Sequence, residues 1–188
     1  VAAIKSYDSL ESAMNAIQAA TGLSESKIQS LKGTVENLYN DNFGESLEDV
    51  ASVIANVVQT TGEVDPTNLE STVRNLYALQ DTFDMDISET LRGANSLITN
   101  FGMSGQEAFN LIASGAQQGL NYSGELTDNL SEYAQIWSQA GFSASEMFAI
   151  LDNGTESGAY NLDKINDFVK EFTISLADGR IEENLDSF

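Results

Sequence analysis

Apolar residues in this chain recur every three to four positions, stretch after stretch, and the stretches are separated by glycines. Val50, Val53, Ile54, Val57 and Val58 form one stripe, and Leu69, Val73, Leu76 and Tyr77, with Phe83 further on, form a second. Leu91, Ala94, Leu97, Ile98 and Phe101 make a third, Ala108, Phe109, Leu111 and Ile112 a fourth, and Leu126, Leu130, Tyr133, Ile136 and Trp137 a fifth. Such spacing lines up one face of an α-helix about three to four turns long. Strand-like alternation occurs at Phe172-Thr173-Ile174-Ser175-Leu176, before Asp178-Gly179, where a short extended segment is the alternative to helix.

Start and stop signals agree with the stripes. Ser46 with Asp49, Asp86 with Glu89, Ser104 with Glu107 and Ser143 with Glu146 each place a capping oxygen three residues ahead of an acid, which satisfies free amides of a first helical turn. Asp65 before Pro66 is another start, since proline fits the first helical position, where its missing N–H is not needed. Gly22, Gly44, Gly62, Gly102, Gly119, Gly141 and Gly158 suit the left-handed residue that closes a helix. The expected fold class is all-α, with about nine short helices in a stacked, repeat-like array of helical hairpins.

A unit recurs within this series. NFGESLED at 42–49, NFGMSGQE at 100–107 and AGFSASE at 140–146 share a Gly/Phe break followed by a capping Ser. The last two copies align with a shift of 39 residues, matching Leu91 with Leu130, Ser104 with Ser143, Glu107 with Glu146, Phe109 with Phe148 and Gly119 with Gly158. A fixed period of this size is the mark of helix pairs stacked in a row. The expected organisation is an N-terminal helical part over 1–62, then hairpin repeats over 63–188 (63–119 and 120–158) with a terminal helix, all in one continuous elongated domain. Phe43, Phe101 and Phe142, at the breaks, read as plugs that pin the corners.

Gly93 and Gly115 fall inside helical stripes, at about 1 kcal/mol each relative to Ala. Replacing them by Ala is expected to raise stability if both are helical, whereas a loss would mean that the backbone or the packing requires glycine. With Ala51, Ala94, Ala116, Ala134 and Ala140 they allow helices to approach closely. A folded but not hyperstable segment is expected.

Composition narrows the function. The 188 residues contain no His and no Cys, which removes the commonest general base, thiol nucleophiles, thiolate zinc sites and disulfides. Net charge is −21, divided as −5 over 1–62, −6 over 63–122 and −10 over 123–188. Eight Lys and Arg, scattered singly, make no basic stripe, so nucleic acid is not an expected ligand of this segment, and anionic lipid is repelled. Any partner that docks by charge should be basic. No apolar run approaches the roughly 20 residues that span a bilayer. The chain starts at Val1 without Met and stops at Phe188 just after a new acidic, helix-like stretch opens, and it reads as a piece of a longer protein.

Candidate chemistry is thin. A carboxylate pair could serve a glycosidase, but Asp49, Glu89, Glu107 and Glu146 are already explained as caps. Asp81, Asp84, Asp86 and Glu89 around Met85 could gather oxygens for calcium, yet the spacing and central Gly of a helix-loop-helix calcium loop are missing, and a helix end, a turn and a new cap explain them. Asp152-Asn153-Gly154 reads as a turn. Trp137, Tyr133, Phe142 and Phe148 form either a contact patch or core, with core favoured for Trp137 and Phe148. No catalytic, cofactor-binding or metal-binding residue is assigned.

The succession NFGESLEDVASVIANVV, NFGMSGQEAFNLIASGAQQGLN and AGFSASEMFAILDNGTESGAYNLDKINDFVKEFTISLADG resembles the core region of tape measure proteins of long-tailed bacteriophages and prophages, from about Ala19 to Gly179. The order of the units, closed by DKINDFVKEFTISLADG, is more specific than any unit alone. The resemblance implies a structural virion protein, not an enzyme, that fills the tail tube during assembly, sets tail length and leaves ahead of DNA on infection. It implies tail tube protein, tail assembly chaperones and tail-tip proteins as partners, self-association in the full-length protein, and contact with the host envelope only on infection. It places the protein in the lumen of the phage tail, and in the host cytoplasm during assembly. The alternatives are an independent helical-repeat module for protein–protein interaction, an enzyme, or a membrane-active segment. With most apolar residues assigned to intramolecular stripes, the isolated chain is expected to be a monomer.

Overall fold

The computed structural model describes residues 2–159 and 161–180. Among them are nine helices and no strand: α1 (Ala2–Thr21), α2 (Glu25–Asn40), α3 (Leu47–Thr61), α4 (Pro66–Phe83), α5 (Ile87–Phe101), α6 (Gly105–Gln117), α7 (Leu126–Gln139), α8 (Ala144–Glu156) and α9 (Leu162–Ala177). The protein is therefore all-α. The acidic stretch noted near the C-terminus lies outside the described residues from Ile181 onward.

Helix boundaries are made locally. Ser46 accepts the Asp49 N–H, Asp65 accepts those of Thr67 and Asn68, and Asp86 Oδ1 accepts that of Glu89 at 2.9 Å. Ser104 and Ser143 form full capping boxes with Glu107 and Glu146. The seven glycines expected as stops all have positive φ, between 67° and 99°. At Gly119, Gly141 and Gly158 the following N–H reaches back to the carbonyl three positions inside the helix, as in Phe142 N–H to Trp137 O at 3.1 Å. That bond closes the last turn and swings Phe142 over Trp137, with ring centroids 5.1 Å apart and planes at 66°.

Contacts divide the chain into two units, Val1–Leu91 and Arg92–Phe188, with the division inside α5. In the first, α1 packs against α3 and α2, and α4 against α2 and α3. α3 buries Leu47, Val50, Ala51, Val53, Ile54, Ala55, Val57 and Val58, so apolar residues cover most of its circumference, as befits a helix surrounded by neighbours. Ile17, Leu31, Leu38, Leu69 and Leu76, all fully buried, complete this core. Each such side chain contributes roughly 1.5–3 kcal/mol by leaving water.

In the second unit α7 packs on α8 and α9, and α8 on α6 and α9. Its core holds Leu97, Ile112, Leu120, Leu126, Leu130, Trp137, Met147 and Leu151. Glycines set how closely these helices approach. A Cβ on Gly93 would lie 2.9 Å from the Thr127 carbonyl oxygen, and one on Gly115 would lie 2.6 Å from Cε1 of Phe148. Both glycines are helical, yet the expected gain from Ala is opposed by atoms already in place.

Two sequence expectations are corrected. Residues 172–176 lie inside α9 and are not extended. The helix is capped by Asn161, whose Oδ1 accepts the Lys164 N–H at 3.2 Å, and no stop precedes Asp178, so the alternating stretch is carried along as helix. Asp152-Asn153-Gly154 is likewise not a turn but the penultimate turn of α8, where a Cβ on Gly154 would meet Cδ1 of Ile165 at 2.6 Å.

Candidate functional site

The acidic residues weighed for catalysis are held in structural roles. Ser104 donates its N–H to Glu107 Oε2 at 2.8 Å and its hydroxyl to the same oxygen at 2.7 Å, while Ser143 treats Glu146 Oε2 identically at 2.8 Å for both bonds. These bonds stabilise the anion and hold both carboxyls below the usual carboxylate range. Glu63 and Asp178 are lowered as well, chiefly by the backbone N–H groups of Asp65 and Arg180. A glycosidase acid needs a carboxyl raised toward neutrality, the opposite direction.

Around Met85 the four acids are divided between two helix ends. Asp84 closes α4 in the left-handed conformation at φ 56°, Asp86 opens α5, and Glu89 supplies the amide that Asp86 caps. Among the described residues no three carboxylates converge on a point where a metal ion would sit.

Asp49 does more than the sequence reading assigned. Its carboxylate accepts the Glu45 N–H at 3.1 Å and the Tyr77 hydroxyl at 2.9 Å, tying the α2–α3 corner to α4. Gly44 makes room for this arrangement: a Cβ there would lie 2.8 Å from Tyr77 Oη and 2.9 Å from Asp49 Oδ2. Arg74 completes the corner by bonding Glu70 at 2.8 Å and Asp41, with its guanidinium 4.9 Å above the Phe43 ring. Phe43 thus pins this corner, as Phe142 pins the next through Trp137. Burial, then the Asp49 carboxylate, pushes the Tyr77 phenol far above its ordinary pKa, and Tyr133 is raised likewise by burial and Asp167. Neither phenol is poised for proton transfer near neutrality.

A buried polar chain joins α7 to α9. Trp137 Nε1–H donates to Asn166 Oδ1 at 2.7 Å, Asn166 Nδ2 donates to Asn129 Oδ1 at 2.6 Å, and Asn129 Nδ2 donates to the Glu125 carbonyl at 3.1 Å. Every member has its partner, so the chain fixes how α9 seats on α7. Sequence reasoning missed it, because Asn129 and Asn166 stand 37 residues apart and each reads alone as a surface residue.

The remaining feature is an apolar surface. Phe168, Phe172, Ile174 and Leu176 of α9 are exposed, and the Phe168 and Phe172 rings stack with centroids 6.1 Å apart. Its sequence signal is an excess: α9 carries more large apolar residues than one buried face can take.

Short capped helices, carboxylates engaged as caps and corner ties, and an exposed apolar helix face describe a structural or binding protein. The chain belongs to the phage-related minor tail protein family, whose model matches residues 37–186. No curated protein and no solved structure matches it. No helix among the described residues is long and apolar enough to cross a membrane.

Proposed function

We propose that the chain is a segment of a tail tape measure protein, a structural component of the virion that acts in tail assembly and in fixing tail length. The reading is carried by membership in the phage minor tail family from the end of α2 through α9. The repeat order that resembles tape measure cores supports the finer assignment. On this reading the segment occupies the tail lumen, meets the tube protein, assembly chaperones and tail-tip proteins, and leaves with DNA on infection. Disrupting the gene in its phage should abolish tails of uniform length in electron micrographs. Tails of unchanged number and length would overturn the reading.

As one continuous helix the 188 residues would reach about 280 Å. Nine short helices are far from that form, so within the tube the segment is either a folded module beside the ruler or a stretch that rearranges. An in-frame deletion of 63–158 separates the two. Tails shortened by about 140 Å mean rearrangement, and unchanged tails mean a module. A role as an independent interaction module is the second reading, favoured by the exposed apolar face of α9.

A further inference from the structure

α9 presents more apolar surface than its unit covers. Leu162, Ile165 and Val169 are buried, whereas Phe168 is 68% exposed, Leu176 55% and Phe172 45%. At about 100° per residue, Phe168, Phe172 and Leu176 fall within one quadrant of the helix, bordering the buried stripe. Single exposed apolar residues are ordinary, but three at successive turns form a continuous stripe. Given the area of aromatic side chains, the stripe leaves on the order of 300 Å² of apolar surface in water, the scale that marks interaction sites on soluble proteins.

Area and charge select the occupant. A stable dimer buries about 800 Å² per partner, well beyond this stripe, and a second copy would bring another net charge of −21. Along 162–178 the helix and its C-cap carry Asp163, Asp167, Glu171 and Asp178 against Lys164 and Lys170. An anionic lipid surface is repelled by the same field. A single helix whose apolar residues recur at three and four positions, flanked by Lys and Arg, matches both the narrow width and the sign. We propose that the Phe168–Phe172–Leu176 stripe is a docking face for a basic amphipathic helix of a partner protein. The apolar stripe holds the partner, and the surrounding carboxylates steer and orient it. The inference does not depend on a role in tail length.

The test is calorimetric titration of the full chain with an 18-residue model peptide of Leu and Lys at helical spacing. Saturable one-to-one binding is expected, weakened at least tenfold in the double variant Phe168→Ser, Phe172→Ser. Both side chains are exposed, so the variant should keep its circular dichroism and its Trp137 fluorescence. Net charge is unchanged in it, so undiminished binding would mean plain charge attraction and would overturn the proposal. Failure of the peptide to bind, or equal affinity for a Leu/Glu peptide, would also overturn it. Dimerisation in sedimentation equilibrium that is lost in the double variant would assign the stripe to a second copy instead. Flotation with phosphatidylcholine vesicles without peptide binding would assign it to lipid.

Discussion

Replacing Gly93 by Ala sets two effects of similar size against each other. Ala is favoured over Gly in a helix interior by about 0.8–1.0 kcal/mol. Against this, the new Cβ would stand 2.9 Å from Thr127 O and 3.3 Å from both Cα and Cβ of Thr127. Ordinary contact begins near 3.4 Å, so α5 and α7 must separate by roughly half an ångström, and the atoms in the way are mostly backbone of the first turn of α7. Overpacking of this kind costs about 1–3 kcal/mol, which leaves a net loss of about 1 kcal/mol. Gly33 is the control, because it lies inside α2 with nothing within 4 Å of its Cβ position. Gly33→Ala should therefore gain up to about 1 kcal/mol. The two variants should move in opposite directions in urea denaturation. Trp137, the single tryptophan, sits fully buried in the second unit and reports Gly93→Ala by fluorescence, while circular dichroism reports Gly33→Ala. A loss of about 1 kcal/mol in a unit of this size lowers Tm by about 4–8 °C. If Gly93→Ala proved as stabilising as Gly33→Ala, the claim that glycine sets the approach of α5 and α7 would be wrong.

Asn166→Ala strips partners from both Trp137 Nε1 and Asn129 Oδ1, and at about 1–3 kcal/mol for each stranded group it should destabilise the second unit by about 2–4 kcal/mol. A change within 0.5 kcal/mol in the Trp137 unfolding curve would refute the account of the polar chain. Thr90 is fully buried and its hydroxyl has no partner, so Thr90→Val should be neutral or stabilising by about 1 kcal/mol. A clear loss of melting temperature would show that the hydroxyl is bonded after all. Glu107 and Glu146 have depressed folded-state pKa values, so their contribution is present above the unfolded value near 4.5 and is lost as pH falls through the folded values. The stability gap between the parent and Glu146→Ala should accordingly shrink between pH 7 and about pH 3 in parallel denaturation curves. A gap that stays constant or widens would contradict the capping role of the carboxylate.

What could be read from the sequence was local. Ser104, Ser143, Asp65 and the stop glycines act within a turn of their own positions, so spacing alone locates them. Residues 172–176 misled because Phe-Thr-Ile-Ser-Leu alternates, while the helical spacing of Ile165, Val169, Phe172 and Leu176 runs through the same residues. The start at Asn161, well upstream, decided between the two periods. Asp152-Asn153-Gly154 has the composition of a turn, but the stop comes four residues later at Gly158. Periodicity cannot tell a glycine that weakens a helix from one that admits a neighbour, and Gly93, Gly115 and Gly154 are of the second kind. Nor can it tell which apolar side of α9 is covered. The excess at Phe168 and Phe172 was visible in the sequence, and its exposure required the positions of α7 and α8.

Gly115 of α6 and Gly154 of α8 stand 39 residues apart, the same interval as Ser104 and Ser143. The first receives Phe148 of α8, and the second receives Ile165 of α9. Excising residues 119–157 would join Gln118 to Gly158 and set Ile165 as far beyond Gly115 as it now lies beyond Gly154. Helix stop and socket would both be inherited intact, and duplication of the same stretch would preserve them equally. A lineage can thus lengthen or shorten such a chain in whole-unit increments by recombination between its own repeats, without passing through an intermediate whose helices no longer fit.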